Sequence, residues 1–249
     1  MKKLIQKHFD QSVVSYRETA TLQQEIAARC FSKIQGNTFP RILEIGAGGG
    51  LLTETALGGL VLPELYAAVD ISGSMLELIS DRQACLIRAD GEKLPFKEKS
   101  FDLLISSSCM QWYSQGGASI IQNLRTLRRN GFFSLALFIR GTFAEMLHIN
   151  NLTGFGSIYP LPEPGTCFTC LERDHQDFES ETEEHIIYFP SVRDFLQNHK
   201  KTGATYTRPG AAFGKKTYAK FCRLYENIYG NEKGIPVSYQ VLYLWGRKK

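Results

Sequence analysis

Residues 41–50 (Arg-Ile-Leu-Glu-Ile-Gly-Ala-Gly-Gly-Gly) constrain the fold of this chain more than any other stretch. A short apolar run of this kind reads as a buried parallel strand. The glycines that end it let the backbone approach a ligand at the strand's carboxyl end, before residues 51–60 open a helix. Two further apolar runs follow, at 65–71 (Leu-Tyr-Ala-Ala-Val-Asp-Ile) and 84–90 (Ala-Cys-Leu-Ile-Arg-Ala-Asp), and they carry acids near their ends, Asp70 and Asp90. A glycine turn alone marks many tight turns and dinucleotide sites. With acids at the ends of the next two strands it describes a pocket for a nucleoside-bearing ligand, because one carboxylate can accept from both hydroxyls of a ribose.

Strands predicted at 41–45, 65–71, 84–90, 101–107 and 132–139 alternate with helices near 51–60, 74–80 and 118–128. That alternation calls for a parallel sheet covered on both faces, with right-handed crossovers bringing every strand's carboxyl end to one edge. Residues 1–34 read as helical. Residues 150–169 carry Gly and Pro with little periodicity, and then come a strand at 184–189, helices at 192–201 and 218–229, and a closing antiparallel strand at 238–246. The expected architecture is α/β: a doubly wound, seven-stranded, mostly parallel sheet in a single domain over 1–249. Within it the reading places a helical cap at 1–35, a ligand-binding core at 36–150, a loop-rich insertion or lid at 151–183, and C-terminal strands with inserted helices at 184–249.

With 249 residues, 43% of them hydrophobic, the chain can bury a sizeable core. No stretch is long and apolar enough to span a bilayer, and Met1-Lys2-Lys3 opens without the apolar run of a signal peptide, so the expectation is a cytoplasmic protein. The six cysteines are scattered, which suits free thiols. Cys167 and Cys170 have only His175 and His185 nearby, at spacings that do not suit zinc, and no metal is expected. Charge is unevenly divided: residues 160–190 hold eight acids and one base, whereas 191–249 hold twelve bases and three acids. The basic half suits an acidic partner; no nucleic-acid motif accompanies it, so neither nucleic acid nor membrane is expected.

A glycine turn and two acids delivered to one edge resemble a class I S-adenosylmethionine-dependent methyltransferase. The resemblance implies that Gly46, Ala47 and Gly48 lie against the cofactor and that Glu44 supports its ammonium group. Asp70 would take the ribose hydroxyls, while Asp90 and the backbone of Gly91 bind adenine between Ile71, Met75 and Leu94. Helix N-capping is the competing role for both aspartates. The serine run at 106–108, with Ser106 as the expected contact, would lie beside the methionyl tail, over which Phe9 and Tyr16 close. Trp112 and Tyr113 read equally as an aromatic wall or as helix packing.

A narrower likeness rests on Phe9, Tyr16 and Gln23, on segments 43–46, 70–76, 90–96 and 100–102, on Gln111-Trp112, and on 141–145, Lys200, Gly203-Ala204 and 235–239. Together these resemble the malonyl-acyl-carrier-protein O-methyltransferases of biotin synthesis, through almost the whole chain. Two features depart from that pattern: Asn130-Gly131 stands where Pro-Gly or Gly-Gly is usual, and 151–178 has no counterpart. The resemblance implies methyl transfer from S-adenosylmethionine to the free carboxylate of a malonyl thioester on acyl carrier protein, or on coenzyme A. Lys200 would pair with the oxygen that is not methylated and Tyr16 would orient the acceptor. Lys215, Lys216, Lys220 and Arg223 would dock the carrier. A methyltransferase acting on another small acid or a quinone precursor, a nicotinamide-dependent oxidoreductase, and a non-catalytic nucleotide-binding module are the alternative readings.

Overall fold

The computed structural model describes residues 2–36, 38–205 and 214–249. Among these residues seven strands form one sheet: β1 (Arg41–Ile45), β2 (Leu65–Asp70), β3 (Ala84–Arg88), β4 (Phe101–Ser107), β5 (Leu127–Phe138), β6 (Asp177–Phe189) and β7 (Ile235–Arg247). Their order is β3-β2-β1-β4-β5-β7-β6; the first five are parallel and β7 runs antiparallel to both of its neighbours. Strand order reverses direction at β1, so a crevice opens between the carboxyl ends of β1 and β4, where open α/β sheets take their ligands. Ile45 pairs with Val69 and Asp70 with Arg88, which brings the glycine turn, Asp70 and Asp90 to that same edge.

β1 is buried on both faces and its side chains alternate between two cores. Leu43 and Ile45 join a cluster that includes Leu104, Phe133 and, from α5 (Gly117–Leu124) and α7 (Pro164–Arg173), Ile120 and Leu171. Ile42 faces the opposite cluster, built with Ala27 of α2 (Thr21–Ser32) and Leu52 and Ala56 of α3 (Leu51–Gly59). A third cluster joins the inner face of β7 to α6 (Ala144–Thr153), α8 (Val192–Lys201) and α9 (Lys215–Tyr229) through Met146, Phe195, Phe221 and Val237. The short α4 (Gly73–Leu76) is capped by Ser72, whose hydroxyl accepts from the Met75 amide. Over the crevice lies α1 (Lys2–Thr19). No helix among the described residues is long and apolar enough to cross a membrane.

Two sequence expectations are corrected here. Residues 151–183 are loop only in part: 154–163 carry no regular structure, but the segment also holds the end of α6, all of α7 and the first half of β6, which begins at Asp177 rather than 184. The acidic composition hid this strand. β6 is an edge strand paired with β7 along its whole length, and Arg29 of α2 and Lys33 just past that helix pair with its Glu181. Charge on an exposed edge also discourages pairing with other chains. The second correction concerns 118–128, where the helix stops at Leu124 and β5 already begins at Leu127. Asn130 therefore sits inside a strand, at φ 64°, and its amide bonds to the Lys248 carbonyl at 2.8 Å. Asn tolerates this left-handed backbone better than most residues, which is why Asn130-Gly131 reads locally as a turn.

Candidate active site

Two adjoining cavities open at the carboxyl edge, and Trp112 lines both. The first is bounded by Gly46, Gly48, Asp70, Ile71, Met75, Asp90 and Gly91, with Phe9 and Tyr16 of α1 across from them. All of these were expected from the sequence. Gly46 carries φ 76° and Gly48 φ 51°, backbone that only glycine adopts freely, and a Cβ at Gly46 would land on the Cys109 side chain. The turn is held from the side by Asp70: one carboxylate oxygen accepts from the Gly48 amide at 2.9 Å and the other from the Ser72 amide at 2.8 Å. Each oxygen keeps a lone pair. Burial pushes the Asp70 carboxyl upward, against the pull of the backbone amides. Burial likewise raises the Tyr16 phenol, which stays protonated and able to donate at neutral pH.

Four expected contacts lie elsewhere. Glu44 alternates away from the pocket toward α3, where its Oε2 accepts from Thr53 at 2.6 Å and Tyr66 at 2.7 Å. Ala47 packs into the core beneath the turn, with Ile42 and Leu52. Ser106 is fully buried and donates to the Ile45 carbonyl at 2.7 Å, tying β4 to β1. Ser107 and Ser108 line the pocket instead, and among the described residues their buried hydroxyls have no hydrogen-bond partner. Leu94 joins the apolar cluster around Leu43 and does not line the pocket.

The sequence reading missed Lys2, Ile5 and Cys109, which also line the first cavity. Lys2 reaches both oxygens of Asp90, at 2.7 and 2.6 Å, and Glu92 at 2.5 Å. A contact across 88 residues leaves no local signal. It fastens the start of α1 to the end of β3, while Arg17 fastens its other end to the Gly49 carbonyl at 2.8 Å and to Glu54.

The second cavity holds about 1010 Å³ counting its open mouth and lies against β7, α6 and α8. Phe138, Phe143, Met146 and Tyr239 supply apolar surface; Gln23, Gln111, Thr142, Asn198, His199 and Thr202 supply polar groups. Gln111 Nε2 donates to the Ser108 carbonyl at 2.7 Å, while its Oε1 and the indole nitrogen of Trp112 are buried without a partner among the described residues. Lys200 is exposed in the last turn of α8 and lines neither cavity. The helix turns about 100° per residue, so the step from His199 to Lys200 carries the side chain from the cleft to solvent. There the ammonium group stabilises the carboxyl end of the helix. Among the described residues, no group of three or more His, Cys, Asp or Glu is placed to hold a metal.

Buried Glu44 also sets a pH dependence of stability. Burial lifts its carboxyl from 4.5 to about 7, despite the hydroxyls of Thr53 and Tyr66. The native state thus keeps a proton that the unfolded chain releases above its ordinary value. This contribution to stability is complete below about pH 4.5 and is lost as pH rises through about 7, a span worth ~3 kcal/mol. Glu44→Gln, which never ionises, should therefore gain in Tm relative to the native chain as pH rises from about 5 to about 8. Calorimetry across that range checks it, and a pH-independent difference in Tm would show that Glu44 does not titrate in this interval.

A family model described as "Methyltransferase domain" matches residues 43–135, the stretch that carries the glycine turn, Asp70, Asp90 and Trp112. The chain is 30% identical to the malonyl-[acyl-carrier protein] O-methyltransferase of Brevibacillus brevis, over 98% of this chain and 95% of that protein. It is 28% identical to the protein of the same name from Priestia megaterium, over 97% of this chain and 96% of the relative. The crystal structure of the YcgJ protein from Bacillus subtilis superposes with a TM-score of 0.65 at 16% identity, covering 90% of this chain and 98% of that one, a likeness of fold.

Proposed function

This chain belongs to the malonyl-[acyl-carrier protein] O-methyltransferase family, and from that premise we propose that it esterifies the free carboxylate of a malonyl thioester on acyl carrier protein, with S-adenosylmethionine as methyl donor. The observation that carries the reading is the meeting of two unlike cavities at Trp112, one with a glycine turn and two acids, the other wide and mostly apolar. Such a pair suits a nucleoside-bearing donor on one side and an acyl chain on the other. Esterification would mask the malonyl charge, so that chain-elongating enzymes can treat the product as an ordinary acyl group on the route to biotin.

The residues present fit the donor. Asp70 keeps two lone pairs for a ribose diol, Gly46 and Gly48 leave room for close approach, and the buried hydroxyls of Ser107 and Ser108 suit a zwitterionic tail. Asp90 would meet the adenine amine from beside Lys2. Bound S-adenosylmethionine supplies an electrophilic methyl group on a sulfonium. The chain's own task is then modest, because a carboxylate is ionised at neutral pH and needs no general base. Orientation of the acceptor and exclusion of water supply the acceleration, and α1, held down through Lys2 and Arg17, covers the donor side.

For the carrier, Lys215, Lys216, Lys220 and Arg223 all lie exposed on α9, the last three spaced along one face of the helix. A cationic face of this kind would steer an acidic carrier and weaken with salt. The decisive assay is methyl transfer to malonyl-carrier compared with malonyl-coenzyme A at low and high salt, together with rescue of a strain blocked in making the pimeloyl precursor of biotin. Binding of NADH in place of adenosylhomocysteine, with no methyl transfer, would overturn the reading. Lys200→Ala is expected to leave kcat/KM on the carrier substrate within about twofold, the scale of an exposed helix-end charge; a loss of about tenfold would restore Lys200 to the acceptor site.

A further inference from the structure

The acceptor cleft poses a chemical problem. Among the described residues that line it there is no lysine and no arginine, although the proposed acceptor brings a carboxylate. His199 is the one lining residue among them able to donate from an imidazole or take up a positive charge, and the other titratable groups there are Tyr159 and Tyr239. Among the described residues, none makes a hydrogen bond to its ring nitrogens.

His199 is held in place by packing. Along α8, Val192 and Phe195 are fully buried, and His199 continues their stripe four residues after Phe195. Its ring stands edge-on to Phe143 at 5.0 Å and lies 6.0 Å from Phe195. Gly203 follows the helix end, one turn beyond His199, at φ 72°, where a Cβ would collide with Ser12 and sit 3.0 Å from the Phe9 ring. Phe9 in turn meets Trp112 edge-on at 6.3 Å. His199 therefore lies one helical turn from the contacts that lead to Trp112, the wall shared by the two cavities.

We propose that His199 recognises the acceptor: an imidazole N–H donates to the carboxylate oxygen that is not methylated, which leaves the other oxygen free to face the donor. The proposal rests on the functional reading above and gives its acceptor site a specificity residue. Burial pushes the imidazole down to about 4. At neutral pH the ring is uncharged, so the empty cleft need not bury a cation, yet it keeps one N–H donor. A neutral donor in apolar surroundings favours an ionised acceptor oxygen over the weaker carbonyl of the methyl ester, which helps the product leave.

Two variants of the full chain test this. His199→Phe keeps an aromatic ring against Phe143 and Phe195 but removes the donor; His199→Gln keeps an N–H donor. His199→Phe is expected to raise KM for malonyl-carrier about tenfold or more, while adenosylhomocysteine affinity stays within about twofold, and His199→Gln should recover most of the loss. Native KM in His199→Phe, or equal impairment of both variants, would overturn the proposal. Failure of the native chain to methylate any malonyl thioester would defeat the functional reading and the role of His199 with it. Native turnover together with an indifferent His199→Phe would defeat the role of His199 alone.

Discussion

Asp70→Ala should weaken adenosylhomocysteine binding by about a hundredfold or more, read by titration calorimetry. Asp70 would lose its hydrogen bonds to the ribose, each worth about 1.5 to 3 kcal/mol when one partner is charged. It would also release the amides of Gly48 and Ser72, which it now holds at 2.9 and 2.8 Å, so the glycine turn itself loosens. Asp70→Asn separates the two contributions. Its single carbonyl oxygen can keep one amide, whereas its NH2 would face the other donor, so binding should fall while the fold is less disturbed. If Asp70→Ala bound adenosylhomocysteine as the native chain does, the first cavity would not be the donor site.

Gly46→Ala is expected to cost about 2 to 5 kcal/mol of stability, the sum of a left-handed backbone forced on a residue with a Cβ and of overpacking in a filled space. The backbone at Gly46 has φ 76°, and the added carbon would meet the Cβ and Sγ of Cys109. Neither neighbour can yield easily. The Gly46 amide bonds to the Val69 carbonyl at 2.7 Å, and Cys109 begins the 3-10 turn Met110–Trp112 that separates the two cavities. Denaturant unfolding would report the loss as a lowered midpoint with unchanged slope. Gly58→Ala is the internal control: that glycine is exposed in α3 with open space around its would-be Cβ, and alanine there should stabilise by up to about 1 kcal/mol. An equal response at the two positions would mean that the close approach at Gly46 carries no energetic weight.

Some of this site can be read directly along the chain because its signals are local. A five-residue strand rich in Ile and Leu, a glycine turn and a helix start are adjacent in sequence, and the acids that follow sit at the ends of neighbouring strands. Strand periodicity and turn chemistry act over a few residues, so the local sequence sets Gly46, Gly48, Asp70 and Asp90 at strand ends, and right-handed crossovers bring those ends to one edge. The family resemblance extended this reading to α1, and Phe9 and Tyr16 do line the first cavity.

The remainder depended on which side of an element met which neighbour. β1 is buried on both faces, so its sequence does not say whether Glu44 turns toward the ligand or toward α3; the hydroxyls of Thr53 and Tyr66 decide it. Ser106 and Ser107 differ by one residue and face opposite ways, and the link from Ser106 to the Ile45 carbonyl crosses 61 positions. Residues 177–183 read as an acidic loop, yet they complete a strand because β7 supplies the backbone partners and α2 and the residue just past it supply the cations. Lys2 and Asp90 are 88 residues apart. At the end of α8, charge drew attention to Lys200. The stripe Val192, Phe195, His199 was present in the same ten residues, but only the packing of that helix against Phe143 and the cleft turned a buried stripe into the wall of a site. Backbone conformation and strand-end chemistry are short-range properties and so belong to the sequence. The facing of each buried side chain is settled by contacts between distant segments, and it exists only once the sheet and its helices have closed on one another.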